Sequence, residues 1–198
     1  MSNRTLFVGD VHGCAEELDA LLTRAAADRI ILLGDLFTKG PDPDGVWDLI
    51  QSSGAEAIRG NHDDFVLRRW ALRGQALAPQ PAITWLKSLP LFLEEDGWIA
   101  VHAGLHPTEG RAGTDHQTAT RVRRWPDDTD EQNPFWWELY HGLPLVIYGH
   151  DARRMLQDHR PQTLGLDTGC VYGGRLTGYL LEEDAIISVD ARRAYQAV

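Results

Sequence analysis

Short apolar runs that stop at glycine alternate with segments of helical period through the first part of the chain. Thr5-Leu6-Phe7-Val8 and Ile30-Ile31-Leu32-Leu33 are compact, partly β-branched and end at Gly9 and Gly34, and Trp98-Ile99-Ala100-Val101 and Leu145-Val146-Ile147-Tyr148 behave the same way. Runs of this length and composition read as buried strands. Between them, Leu18, Leu21, Leu22 and Ala25 recur at helical spacing, and Asp44 after Pro43 opens a second helical stretch carrying Val46, Trp47 and Ile50. The pattern predicts strand 5–9, helix 14–26, strand 29–33, helix 43–53, strand 55–59 and helix 62–73, a βαβαβα order. Further on it predicts strands 91–95 and 97–101 paired around Asp96-Gly97, a loop from His106 to Gly113, a helix near 115–125, and strands near 143–149, 163–167, 175–182 and 185–190. An α/β sandwich of two mixed sheets with helices outside fits this order better than one doubly wound sheet.

Length and charge narrow the class. The chain has 198 residues, 43% of them hydrophobic, enough for one domain with a substantial core, spanning 1–198, and it shows no repeat or low-complexity stretch. The first strand begins close to Met1, which leaves no room for a signal peptide, and no apolar run nears the ~20 residues that span a bilayer. A cytoplasmic address and no membrane partner are expected. Lys and Arg number 19 against 29 Asp and Glu, a formal charge of -10, which argues against broad nucleic-acid binding. Oligomeric state is open. Cys14 and Cys170 form no CxxC pair and read as small buried residues; whether they join in a disulfide is left open.

The chemistry lies in the turns after the strands. Asp10 and His12 occur in GDVHG, Asp35 in GDLFTKG, Asn61 in GNHD, His102 in VHAGL and His150 in YGHD. Carboxylate and amide oxygens mixed with imidazole nitrogens suit first-row divalent ions, and so many ligands exceed what one open catalytic ion needs. The set predicts two divalent metals, with Asp35 as the natural bridge. Mn²⁺ is the first choice, and Fe, Co²⁺, Ni²⁺ or Zn²⁺ suit the same donors. Turn propensity explains any one of these motifs but not all of them together.

Taken in order, GDVHG, GDLFTKGPD, RGNHD, HAGLHP and GHD resemble the phosphoprotein phosphatase branch of the calcineurin-like metallophosphoesterases. The tail LDTGCVYGGRLTGYLLE resembles the symmetrical diadenosine tetraphosphatases and their bacterial relatives. The resemblance implies the two-sheet sandwich and a dinuclear phosphohydrolase acting on dinucleoside polyphosphates. It assigns Asp10, His12 and Asp35 to one metal and Asp35, Asn61, His102 and His150 to the other. It also implies that a hydroxide bridging the metals attacks phosphorus while His62 protonates the leaving oxygen. The protein phosphatases carry Asp-Arg where this chain has Thr38-Lys39; Lys39 still offers a positive charge, while Thr38 cannot stabilise an imidazolium at His62. That departure favours a nucleotide substrate. A serine/threonine or broad-specificity phosphatase is the alternative, and a metal-binding scaffold without turnover the alternative of another class.

The remaining expectations concern substrate. Arg121 and Arg124 in TRVRRW lie three apart, on one face if helical with Arg123 turned aside, and are candidate phosphate grips; the plain reading is a solvated basic face. The segment near 64–90 is expected to form a small cap or rim in which Pro79 and Pro81 break a helix, with Trp70 and Trp85 packing into the core rather than stacking on a base. The aromatic cluster 135–140 is read the same way. His106, His116, His141 and His159 are not expected to be ligands, whereas Asp63, Asp64 and Asp151 would orient the His ligands from behind. Asp167 would do likewise or shape its turn.

Overall fold

The structure is a computed structural model that describes residues 4–74 and 77–197. Ten strands form two mixed five-stranded sheets. The first contains Thr5–Val8 (β1), Arg29–Leu32 (β2), Glu56–Ala57 (β3), Arg175–Leu180 (β9) and Ala185–Asp190 (β10), in the order β10-β9-β1-β2-β3. The second contains Phe92–Glu95 (β4), Trp98–Val101 (β5), Leu145–Tyr148 (β6), Gln157–His159 (β7) and Thr163–Gly165 (β8), ordered β4-β5-β6-β8-β7. In the first sheet β1, β2 and β3 run parallel while β9 and β10 join antiparallel on the other side of β1; in the second the central β5, β6 and β8 run parallel and the outer β4 and β7 pair antiparallel.

Side-chain alternation explains why the apolar runs are continuous. Phe7, Ile31, Trp98, Ala100, Ile147 and Leu164 point into the layer between the sheets. Their neighbours Leu6, Val8 and Leu32 face helices on one side, and Ile99, Val101, Val146 and Tyr148 face the opposite outer layer. Strands covered on both faces lose the polar alternation of half-exposed ones. Phe7 meets Trp98 edge-on at 4.8 Å, joining the sheets at their centre.

Helices Ala15–Ala25 (α1), Pro43–Ser53 (α2), Asn61–Arg73 (α3) and Gln80–Leu86 (α4) cover the first sheet. Asp42 caps α2 by accepting from Gly45 N–H at 2.8 Å, and Gly54 ends it in the left-handed region. His116–Arg121 (α5) and Trp136–Leu139 (α6) supply Ala119 and Trp136 to the outer core of the second sheet.

Two expectations are corrected. The helix expected over 115–125 stops at Arg121, and Val122 turns extended. Asp128 accepts the Arg123 and Arg124 backbone N–H groups, each at 2.7 Å, and so takes the donors that a longer helix would use. Pro79 and Pro81 do not break a helix: they begin α4, where a missing N–H costs nothing, and Ala82, Ile83 and Leu86 bury against the core. The segment 64–90, expected as a small cap or rim, contains most of α3 and all of α4, and its residues 75 and 76 lie outside those described. β7, α4 and α6 were not anticipated at all. Cys14 and Cys170 are free thiols, both buried, and Trp70 and Trp85 pack against the core as expected.

Replacing Phe7 by Ala should lower the unfolding free energy by about 3–5 kcal/mol in urea titration, the range for losing a buried aromatic. A loss below about 1 kcal/mol would show that the inter-sheet layer does not depend on this ring.

Candidate active site

The strand ends bring the six motif residues together. Asp10 and His12 follow β1, Asp35 follows β2, Asn61 opens α3, His102 follows β5 and His150 follows β6. This is the carboxyl edge at which open sheets gather their sites. His12 Nε2 lies 3.8 Å from Asp10 Oδ2 and 3.6 Å from Asp35 Oδ2. On the other side of the same carboxylate, His102 Nε2 is 3.5 Å from Asp35 Oδ1 and 3.0 Å from Asn61 Oδ1, which is also 3.0 Å from His150 Nδ1. Asp35 thus stands between two donor groups, one oxygen toward each.

Each imidazole is held by its other nitrogen. His12 Nδ1 pairs with Thr38 Oγ1 at 3.1 Å, His102 Nδ1 with the Leu33 carbonyl at 2.7 Å, and His150 Nε2 with the Arg121 carbonyl at 3.1 Å. Such partners fix ring orientation and tautomer and leave the inner nitrogen's lone pair aimed at the cluster. Two expectations change here. Thr38 serves His12 and not His62, and Asp63, Asp64 and Asp151 do not orient the His ligands. Asp64 faces His116 at 3.1 Å, and Asp151 lies 3.6 Å from Arg123 Nε.

Asp63, fully buried, instead accepts three backbone N–H groups, from Asp35 at 2.8 Å, Leu36 at 3.0 Å and Gly60 at 2.9 Å. The turns after β2 and β3 are thereby tied to one carboxylate. Close approach also requires glycine: a Cβ on Gly60 would overlap the Asp35 carboxylate, and one on Gly149 would overlap Asp10 Oδ1. Among the described residues, seven non-glycines have positive φ, and His12, Asp35, Lys39 and His150 are four of them. Strained backbone concentrated in this way marks a functional site.

His62 lies beside the cluster. Its backbone N–H donates to Asp35 Oδ1 at 2.8 Å, and its ring stands edge-on to His12 at 5.0 Å between centroids. Lys39 Nζ is 3.3 Å from His12 Nε2 and donates to the Tyr172 hydroxyl at 2.8 Å. A cleft of about 830 Å³ opens over these groups, and Arg123, Arg124, Arg153 and Arg154 line it. Because α5 ends at Arg121, the expected helical pairing of Arg121 with Arg124 does not form. Arg124 reaches the cleft with Arg123, which had been expected to turn aside, whereas Arg121 does not line it. Arg153, Arg154 and Tyr172 were not expected in the cleft, and the basic pair three residues after His150 was a visible signal for the first two; Asp167 lines the cleft and shapes its own turn by accepting from Gly169 N–H at 3.0 Å. His106 meets Trp125 edge-on and His159 stacks on Trp137, outside the cluster.

A model of the calcineurin-like phosphoesterases matches residues 3–187. The chain belongs to that family. It is 27% identical over 267 aligned positions to the symmetrical bis(5'-nucleosyl)-tetraphosphatase of Vibrio parahaemolyticus, covering 94% of this chain and 98% of the relative. It is 28% identical to the asymmetrical bis(5'-nucleosyl)-tetraphosphatase PrpE of Oceanobacillus iheyensis, covering 96% and 93%. A crystal structure carrying a provisional diadenosine tetraphosphatase assignment superposes with a TM-score of 0.88 at 33% identity, covering 96% of this chain and 95% of that one. This calcineurin-like phosphoesterase is a hydrolase of phosphoester or phosphoric anhydride bonds, and the alternative of a scaffold without turnover is set aside.

Enzymes of the family use divalent metals, and the electrostatics of the donors fit such ions. Burial, followed by Asp167 and Asp35, holds the Asp10 carboxyl well above its ordinary range. Burial pushes Asp35 and Asp63 up to about 7 and Asp167 up to about 6. Burial also lowers His12, His102 and His150, which keeps the imidazoles neutral. Carboxylates whose charge is costly and neutral nitrogens with free lone pairs together call for a cation. His62 is lowered to about 4, by burial first and then by Lys39, His102 and Arg121.

Two outcomes follow from this arrangement. With no cation bound, Asp35 holds its proton below about 7, while the imidazoles are already deprotonated. Raising the pH toward 7 removes the proton that competes with the metal, so Mn²⁺ affinity should climb and then level off above about 7. Titration calorimetry on the metal-free protein reads this, and an affinity flat from about pH 5 to pH 8 would contradict it. Replacing Asp63 by Asn sets an amide N–H against at least one backbone N–H. Stability in urea should fall by about 1–3 kcal/mol for each donor left unpaired, with weaker Mn²⁺ binding; unchanged stability would remove Asp63 from the clamp.

Proposed function

We propose that this enzyme hydrolyses dinucleoside polyphosphates of the diadenosine tetraphosphate type at a dinuclear divalent-metal centre. The observation that carries this reading is Asp35, whose two oxygens face separate donor groups with His62 held alongside. Asp10, His12 and Asp35 would hold one ion, and Asp35, Asn61, His102 and His150 the other. When bound, the ions lower the pKa of attacking water and neutralise charge on the phosphoryl oxygens.

The chain's own side chains do the rest. Lys39 and the cleft arginines Arg123, Arg124, Arg153 and Arg154 hold the polyphosphate and turn the phosphorus toward the metal donors. His62, fixed through its backbone to Asp35 and neutral in the substrate-free site, takes up a proton as the substrate's negative charge arrives beside it and hands that proton to the departing oxygen. Arg121, behind His150, tunes the field at Asp35 and His62 without lining the cleft. Thr38, committed to His12, leaves no carboxylate on His62, which supports a phosphate leaving group of lower basicity over a serine or threonine alkoxide. The names of both kinds of tetraphosphatase relative support the same class of substrate.

The test compares diadenosine polyphosphates, nucleoside triphosphates, capped RNA, phosphopeptides and p-nitrophenyl phosphate with Mn²⁺ as the added ion. Diadenosine tetraphosphate should give the highest kcat/KM, and His62→Ala and Asp35→Asn should each lower kcat by about 10²-fold or more. Wild-type rates in either variant would rule out the assigned roles, and a preference for phosphopeptides would move the enzyme to the protein phosphatase reading.

A further inference from the structure

A second cavity, about 690 Å³ in volume, opens on the other side of His62. His62 and Lys39 line both it and the arginine-rich cleft, so the proton donor stands at the junction of two chambers. Its walls come from the turn 37–40, from the start of α2, from α3, and from residues 77–79 with Gln80 at the start of α4. The volume lies within the usual range for a small-molecule site.

One wall is built for a flat ring. Phe65 follows His62 by three residues on α3, with ring centroids 6.4 Å apart, and is 41% exposed. It is the one aromatic among the exposed large hydrophobic residues described. Arg69, four residues further along α3, places its guanidinium 5.3 Å from the Phe65 ring, and its buried Nε has no hydrogen-bond partner. Pro79 and Gln80 lie across the cavity, the glutamine offering an amide that can both donate and accept. Trp70 and Trp85, the aromatics that stand out in sequence here, do not line it.

We propose that this cavity binds the nucleoside of the leaving half of the substrate, its base stacked on Phe65 and its phosphates passing Lys39. The inference rests on the reading of His62 as donor to the leaving oxygen. Whatever is attached to that oxygen must extend beyond His62, away from the attacking side, and this chamber begins there. The fold then holds a two-headed substrate at both ends, with the scissile phosphate between. Stacking on an aromatic face tolerates any base, so the site selects for a nucleoside without selecting strongly among nucleosides.

The experiment compares kcat/KM for diadenosine tetraphosphate with that for inorganic tripolyphosphate, an anhydride lacking any base. It uses Mn²⁺-loaded wild type, Phe65→Ala and Phe65→Tyr. The preference for the dinucleotide should fall about tenfold in Phe65→Ala, mostly through KM, and persist in Phe65→Tyr. Adenosine should show saturation transfer to its base protons by NMR with wild type and none with Phe65→Ala. An unchanged preference, or equal losses on both substrates, would overturn the base pocket while leaving the metal-centre reading intact. If wild type cleaves tripolyphosphate but not the dinucleotide, the substrate reading fails and the pocket falls with it; cleavage of neither would indict the hydrolytic centre.

Discussion

One buried carboxylate holds this site in shape. Asp63 accepts the N–H groups of Asp35, Leu36 and Gly60, joining the turn after β2 to the turn that opens α3. Those bonds, with the His12 N–H on the Asp35 carbonyl and the His62 N–H on its Oδ1, hold Asp35 in its left-handed backbone, with φ at 55°. They also keep its two oxygens aimed at separate donor groups. A buried carboxylate is expensive in itself, and three charge-assisted hydrogen bonds are what make it tolerable.

The same economy runs through the rest of the cluster. Four site residues hold unfavourable φ values, and Asp10, Asp35 and Asp167, each largely buried, stand close enough for burial and mutual repulsion to raise their pKa values. A centre of this kind is destabilising for the free fold and is stabilised when cations bind to the folded state alone. The two-sheet core supplies the reserve: its layer of Phe7, Ile31, Trp98 and Ile147 is fully apolar and lies directly beneath the strand ends that carry the ligands. Packing and chemistry are therefore divided between the middle and the edge of the same strands.

The sequence spoke clearly where structure is local. Apolar runs between glycines located the strands, and 43–53 and 185–190 were bounded to the residue by a Pro-Asp start and by β-branched alternation. It was silent where a distant group decides. Asp128 ends α5 early by capturing two N–H groups, and no periodicity within 115–125 reveals that. Thr38 looked like a missing partner for His62 because the motif places it nearby, yet its hydroxyl turns to His12. Asp63 is conspicuous in GNHD, but its bonds to Asp35 and Leu36 span 28 and 27 residues. Arg153 and Arg154 are visible as a basic pair after GHD, but only the fold turns them into the cleft.

A net charge of -10 and an anionic substrate are compatible because the charges are segregated. Acidic residues spread over the surface act on a polyphosphate only within about a Debye length of it, roughly 8–10 Å in physiological salt. Inside the cleft Lys39 and four arginines stand against Asp35, Asp128, Glu131, Asp151 and Asp167, so the charges balance there and bound divalent ions would tip the sign to positive. Arg124 and Arg154 each lie 4.2 Å from the Phe135 ring, so two like charges share one aromatic support. Their mutual repulsion is relieved when an anion enters the cleft beside them, and on the proposed reading that anion is the polyphosphate. Selectivity for longer phosphate chains would then come from the spacing of these cations along the cleft, independently of what the far cavity recognises at the other end.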